Sequence, residues 1–310
     1  DNARGIGLKD TNQIAVENLA NPLRYNPSTK RIELSGVIPN NFQRTQATIK
    51  AIDKNGNPAT KTITFNVQAQ TDKYNAVANP QKQTVSYDAR PDAGLSVNKN
   101  GLPAGTTYTW ATTPSTTTGP GDKAGVVTVT YPDGSKDTVN VTVNVRALND
   151  EYDLAATEIV VNQNDQVSND RLKTVVSATS KVSNVSGTDK ISTVTAPTIN
   201  TANYGNQNIT ATVTFKDGTV KEVPIPIKVK DVTKPTIQTP EENKNWEMTA
   251  LDKTLPPMEV RAEDNANGSG IKTVSVTGLP DYLEYDKTTN SIKFKAGKQE
   301  VEKLPVNTPS

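Results

Sequence analysis

One stretch limits the fold of this chain more than any other. Residues 125–145, GVVTVTYPDGSKDTVNVTVNV, alternate apolar residues with Thr and Asn on both sides of Pro132-Asp133-Gly134-Ser135. Period-two alternation around such a turn predicts a β-hairpin with one dry face and one wet face. The pattern returns at residues 209–229, ITATVTFKDGTVKEVPIPIKV, where Phe215 matches Tyr131, Asp217 matches Asp133 and Gly218 matches Gly134, each at an offset of 84. A duplicated hairpin makes this a tandem repeat of β units.

Other segments of the first copy accompany the hairpin. Residues 101–110 read GLPAGTTYTW and residues 121–136 read GDKAGVVTVTYPDGSK. In these motifs the stretch 70–146 resembles the Rib/alpha-like repeat of Gram-positive cell-surface proteins along almost its whole length. The second copy, 147–230, is similar to a longer, divergent member that keeps the final hairpin and lacks the GLPAGTTYTW segment. The resemblance implies an immunoglobulin-like β-fold used as a stalk in a wall-anchored protein.

The ends carry a second internal repeat. Residues 23–32, LRYNPSTKRI, resemble a segment of bacterial cadherin-like and immunoglobulin-like domains, and so do residues 283–292, LEYDKTTNSI, at an offset of 260. DNARGIGLK at residues 1–9 matches DNANGSGIK at 264–272 at an offset of 263. We therefore expect cadherin-like or Ig-like domains over 1–69 and 231–310. The first holds the late strands of such a domain, at Gln13–Glu17, Arg31–Gly36, Gln46–Ile52 and Lys61–Val67. The last opens on the linker Asp231-Val-Thr-Lys-Pro-Thr-Ile237 and holds early strands at Met258–Glu263, Ile271–Gly278 and Ser291–Lys295. Each end reads as part of a domain, the chain as a piece of something longer, and end-to-end strand complementation between copies as one way to complete the two parts. Leu304-Pro-Val-Asn-Thr308 departs from the Leu-Pro-x-Thr-Gly sorting signal and reads as coincidence.

Composition narrows function. A third of the 310 residues are hydrophobic and 5% aromatic, so each core is small. Lys and Arg number 34 against 33 Asp and Glu, for a net charge of +1, which gives no electrostatic case for nucleic acid. No stretch approaches the length needed to insert in a membrane. Cysteine and histidine are absent, removing disulfides, Cys/His zinc sites and Cys or His nucleophile pairs together. A glycosidase needs only two carboxylates, but the acids are scattered over turns; Asp133 and Asp217 sit at hairpin tips, where Asp suits turn geometry. The expectation is no enzyme and no required cofactor.

Calcium is the one ligand the spacing allows. If the domains are immunoglobulin-like, the loop at Asp1 and Asn2 meets the turn holding Asp53 and Asn55, and Asp264 with Asn265 forms the same corner in the last domain. Clustered carboxylate and amide oxygens are what Ca²⁺ takes. The competing reading is that Asp, Asn and Gly simply make turns. Tyr108 and Trp110 share one strand face and read as a core pair, and Trp246 reads as an anchor against the preceding domain. Residues 162–190 stay open: Leu172, Val175 and Val176 allow a short helix after Ser168 or Asn169, while the β-branched content favours strand.

The whole reads as an all-β chain of tandem immunoglobulin-like β-sandwich domains arranged end to end as a rod. The expected role is a non-catalytic, extracellular, monomeric spacer of a wall-anchored adhesin, partnered by neighbouring domains. The alternatives are direct adhesion to a host glycan or protein and, more remotely, a carbohydrate-active enzyme fragment.

Overall fold

A computed structural model describes residues 14–241, 244–248 and 254–297. It is an all-β protein built of several small sheets, and it divides into two units, 1–147 and 148–310.

Unit 1 opens with β1 (Ala15–Glu17), the hairpin β2 (Leu23–Asn26) and β3 (Arg31–Leu34), and the longer pair β4 (Thr45–Ile52) and β5 (Pro58–Phe65). β1 adds antiparallel to β4, giving a three-stranded sheet beside the two-stranded one. Of these strands only Ala47 is fully buried, so little apolar surface holds this part together.

The first repeat follows as α1 (Gln70–Lys73), β6 (Thr84–Val85), β7 (Thr107–Thr112), β8 (Gly121–Thr130) and β9 (Lys136–Val145), in sheet order β6-β9-β8-β7. β8 and β9 form the expected hairpin, with Thr130 opposite Lys136. Gly134 takes φ +86 at the tip, a left-handed conformation that other residues adopt only with strain. Val127, Val129, Tyr131, Val139 and Val141 project from one face into the core, joined by half-buried Tyr108 and Trp110. The indole N–H of Trp110 donates to the Pro91 carbonyl at 2.9 Å. Gly125 makes room for that ring: a Cβ there would stand 2.6 Å from Pro114 and 2.9 Å from Trp110. The Thr/Pro/Gly loop after β7 is tied down too, because buried Thr116 donates its hydroxyl to the Ala89 carbonyl at 2.9 Å.

Unit 2 begins with the second repeat: α2 (Leu148–Glu151), β10 (Tyr152–Ala156), β11 (Ile159–Asn162), α3 (Asn169–Val175), β12 (Val176–Ser180), β13 (Ile191–Thr195), β14 (Gly205–Phe215) and β15 (Val220–Lys230). Its main sheet, β11-β15-β14-β13, has the order of the first repeat's, and β10 pairs with β12 in a second sheet. The open segment 162–190 is both helix and strand. The Ser168 hydroxyl accepts from the Arg171 N–H and caps α3, and Leu172 is buried. Then Val176, Ala178 and Ser180 alternate inward along β12.

β15 is a central strand containing Pro224 and Pro226, residues expected only where no ladder donor is needed. The parallel pairing with β11 starts at Ile227. By the two-residue period, both prolines turn their missing N–H toward that side before the ladder begins, so neither removes a sheet bond.

The remainder of unit 2 holds β16 (Thr236–Thr239), β17 (Arg261–Glu263) and the hairpin β18 (Leu283–Asp286) and β19 (Ser291–Phe294). Left-handed backbone recurs at the offset read from sequence, Asn18 matching Gly278 and Lys30 matching Asn290. Two expectations are corrected. Trp246 packs on the cluster of Met258, Val260, Leu283 and Ile292 rather than on the second repeat. Residues 271–278 form no strand: in unit 1 the matching β1 exists by pairing with β4, and no described strand pairs with residues 271–278. The Leu304–Thr308 segment lies outside them as well.

Candidate functional site

The hairpin tips do more than turn. In the first repeat the Asp133 carboxylate accepts from the backbone N–H of Ser135 at 2.9 Å and from its hydroxyl at 2.6 Å, shaping the turn. Its other oxygen accepts from the backbone N–H of Gln70, 2.7 Å away and 63 residues earlier, while the Ser135 hydroxyl accepts from the Thr71 N–H. The second repeat repeats every contact: Asp217 accepts from Thr219 and from the Leu148 N–H at 2.8 Å, and the Thr219 hydroxyl accepts from the Asn149 N–H. Each tip therefore holds the first residues of its own repeat.

An aromatic pair lies beneath each latch, Tyr74 on Tyr131 at 6.0 Å and Tyr152 on Phe215 at 6.3 Å. Tyr131 also donates to Asp137 at 2.7 Å, and burial together with that carboxylate pushes its phenol well above the ordinary range. Burial acts to raise Asp133, but the bonds from Ser135 and Gln70 prevail and hold it below the usual carboxylate value. Sequence reasoning placed these aspartates at turns and missed the latch. The signal available was the Ser or Thr two residues after each Asp, present in both copies.

The residues considered for calcium are distributed unevenly. Asp1 and Asn2 lie outside the described residues. Asp53 is engaged by its own turn, accepting from the N–H of Asn55 at 3.0 Å and from the N–H and side-chain amide of Asn57, both at 2.8 Å. The Asn57 bonds foremost lower its pKa. Asn55 contributes its backbone N–H there.

Asp264 and Asn265 meet a partner that sequence did not supply, Asp231. The Asp231 carboxylate accepts from the N–H of Ser269 and of Thr233, which hold its pKa down, and the Gly270 N–H donates to Asp264. The amide of Gln163 donates to the carbonyls of Ala202 and Ala266, which turns its oxygen toward Asn265, 2.7 Å from the Asn265 nitrogen. The opposite end of the Asn265 amide lies 3.1 Å from one oxygen of Asp264 and 3.2 Å from one of Asp231. Rotating the Asn265 amide would satisfy the two carboxylates but set its oxygen against that of Gln163. Gly268 closes the corner, since a Cβ there would stand under 3.0 Å from all three side chains. Among the described residues, no group of three or more His, Cys, Asp or Glu side chains is placed to hold a metal ion, so the corner offers two carboxylates and an amide.

In unit 1 a cleft of about 360 Å³ is lined by Leu23, Phe42, Phe65 and Tyr74 with Gln70 and Asp133 at one side. Asn40, Asn66, Gln68 and Lys73 complete its polar lining, and Asp133 and Gln70 are occupied with each other there.

Comparison with known proteins agrees with the repeat architecture. Over 171 residues the chain is 32% identical to the C protein alpha-antigen of Streptococcus agalactiae, covering 52% of this chain and 16% of that protein. A solved Rib structure from Streptococcus pyogenes is 41% identical and covers 25% of this chain and 98% of its own, with a TM-score of 0.23. The protocadherin gammaB4 extracellular domain covers 91% of this chain and 56% of its own at 12% identity, with a TM-score of 0.30. Residues 70–147 and 149–231 each match the Rib domain. Because those two matches take in just over half of the chain, this protein belongs to the Rib domain family.

Proposed function

We propose that this chain is a non-catalytic spacer from a Gram-positive cell-surface adhesin, holding a binding region away from the wall. The observation that carries this reading is where each repeat starts and stops. The second repeat begins at the hairpin tip, where Asp217 holds Leu148, and ends at Lys230, the far end of β15. An eleven-residue strand separates the two by about 33 Å. A unit with its termini at opposite ends adds its own height each time it is repeated. The kinship with a streptococcal antigen supports the cell-surface setting.

Small-angle scattering on the 310-residue chain tests it. A compact particle has a radius of gyration of about 19 Å by folded-chain scaling; a spacer gives a value well above that, and a compact one overturns the reading. The second reading, direct adhesion, rests on the cleft of unit 1, and a glycan and host-protein array showing no saturable binding dismisses it.

Calcium enters through the corner at Asp231, Asp264 and Asn265. Two carboxylates and a side-chain amide converge there, and such oxygen donors favour a hard cation that takes oxygen ligands and completes its shell with water. Calorimetric titration with Ca²⁺ should show binding that Asp231→Asn removes. Heat indistinguishable from dilution for the unaltered chain rejects the idea.

A further inference from the structure

The strands that end each repeat lie in a particular relation to the force a spacer would feel. In the second repeat β11 runs parallel to the end of β15, with Ile159, Val160, Val161 and Asn162 opposite Ile227, Lys228, Val229 and Lys230. The Gln163 N–H extends the ladder to the Lys230 carbonyl at 2.7 Å. Tension enters at Leu148, on the tip side, and leaves at Lys230, on the other, so it pulls β11 and β15 past each other along their length. Ladder bonds lie across the strands, so such a pull strains all of them together. The alternative geometry, in which strands part from one end, breaks them one by one.

The first repeat uses the same plan with less of it. β6 pairs parallel to the end of β9 over Thr84 and Val85 only, flanked by the bonds Asn144 N–H to Gln83 and Arg146 N–H to Val85, both 2.9 Å. Its first residue is held at the far tip by Asp133.

We propose that each repeat is a shear clamp, closed by its last strand paired in parallel with an early one, and that the second repeat is the stronger because its terminal ladder is twice as long. This rests on the spacer reading, since only a chain held at both ends feels such tension.

Single-molecule pulling of the full chain tests it, and the absence of native cysteine lets introduced thiols serve as unique handles. With Ala147→Cys and Val232→Cys the second repeat is pulled in shear. With Asn162→Cys and Lys230→Cys, both exposed and opposite each other at one end of the ladder, the same folded repeat is peeled. Rupture in shear should need several-fold more force than rupture by peeling; equal forces overturn the clamp. The first repeat, pulled between Ala69→Cys and Ala147→Cys, should yield at lower force than the second, and an equal or higher force overturns the ranking.

A ladder variant adds a check of cause. By the two-residue period Val161 turns its N–H to β15, whereas Val160 faces outward, its carbonyl accepting from Arg171. Val161→Pro should bring the shear force of the second repeat down to that of the first, with Val160→Pro changing it little. If the proline at 161 prevents folding, the comparison of pulling directions still decides. An elongated particle in scattering together with equal forces would sink the clamp and leave the spacer standing.

Discussion

Among the described glycines, the closest approach a Cβ would make is at Gly187. Its position would put a Cβ 1.9 Å from the ring of Tyr152, which is packed on Phe215 beneath the Asp217 latch. Gly187→Ala must displace the ring or the backbone, so overpacking should destabilise the second repeat by about 1–3 kcal/mol or more, read by urea unfolding. At Asp286 the effect is electrostatic. The Lys293 ammonium bonds it at 2.8 Å and foremost draws its pKa down to about 2. A folded value below the unfolded one, near 3.9, means the stabilisation is present above that pH and is lost as pH falls through about 2. Carboxyl NMR titration should place the Asp286 midpoint near that value, and Lys293→Met should move it up toward the ordinary range; an unmoved midpoint would assign the shift to the Thr288 N–H instead. Such pairings were invisible in sequence because they depend on which side of a hairpin each side chain leaves.

At the level of elements, the hairpins were legible because alternation of period two reports a half-buried strand directly. The Asp-Gly turns then fixed their registers. The helix within 162–190 was harder, since Leu172, Val175 and Val176 fit two periodicities and only the cap settles which wins where. Ser168→Ala removes the hydroxyl that accepts the Arg171 N–H, and should cost about 1 kcal/mol and fray α3 in hydrogen exchange while β12 stays protected; loss of protection in both would mean they form one cooperative piece. Residues 271–278 show the opposite failure. Their pattern is a strand pattern, but a strand is a pairing, and sequence alone does not supply the neighbour. The corner at Asp264 was half legible for the same reason: Asp264 and Asn265 are adjacent in sequence, while Asp231 and Gln163 come from far along the chain.

Across the whole molecule, each repeat owns its core and its closing strands. The first repeat buries Val127, Val129 and Tyr131, and the second Val213, Phe215 and Ile225. Separately closed cores unfold separately. Scanning calorimetry should show more than one transition, and Gly187→Ala should lower only the one belonging to the second repeat; a single transition moving as a whole would mean the repeats are thermodynamically fused. The tandem organisation was legible because the duplicated hairpin preserves spacing as well as residue type.

The latch has one more consequence, which concerns time. Gln70 waits for Asp133, and Leu148 waits for Asp217, 69 residues later. A chain delivered N-terminus first, from a ribosome or through a secretion pore, cannot close either repeat until its last strand emerges. Each repeat thus stays threadable for most of its passage and locks only when it is complete on the far side.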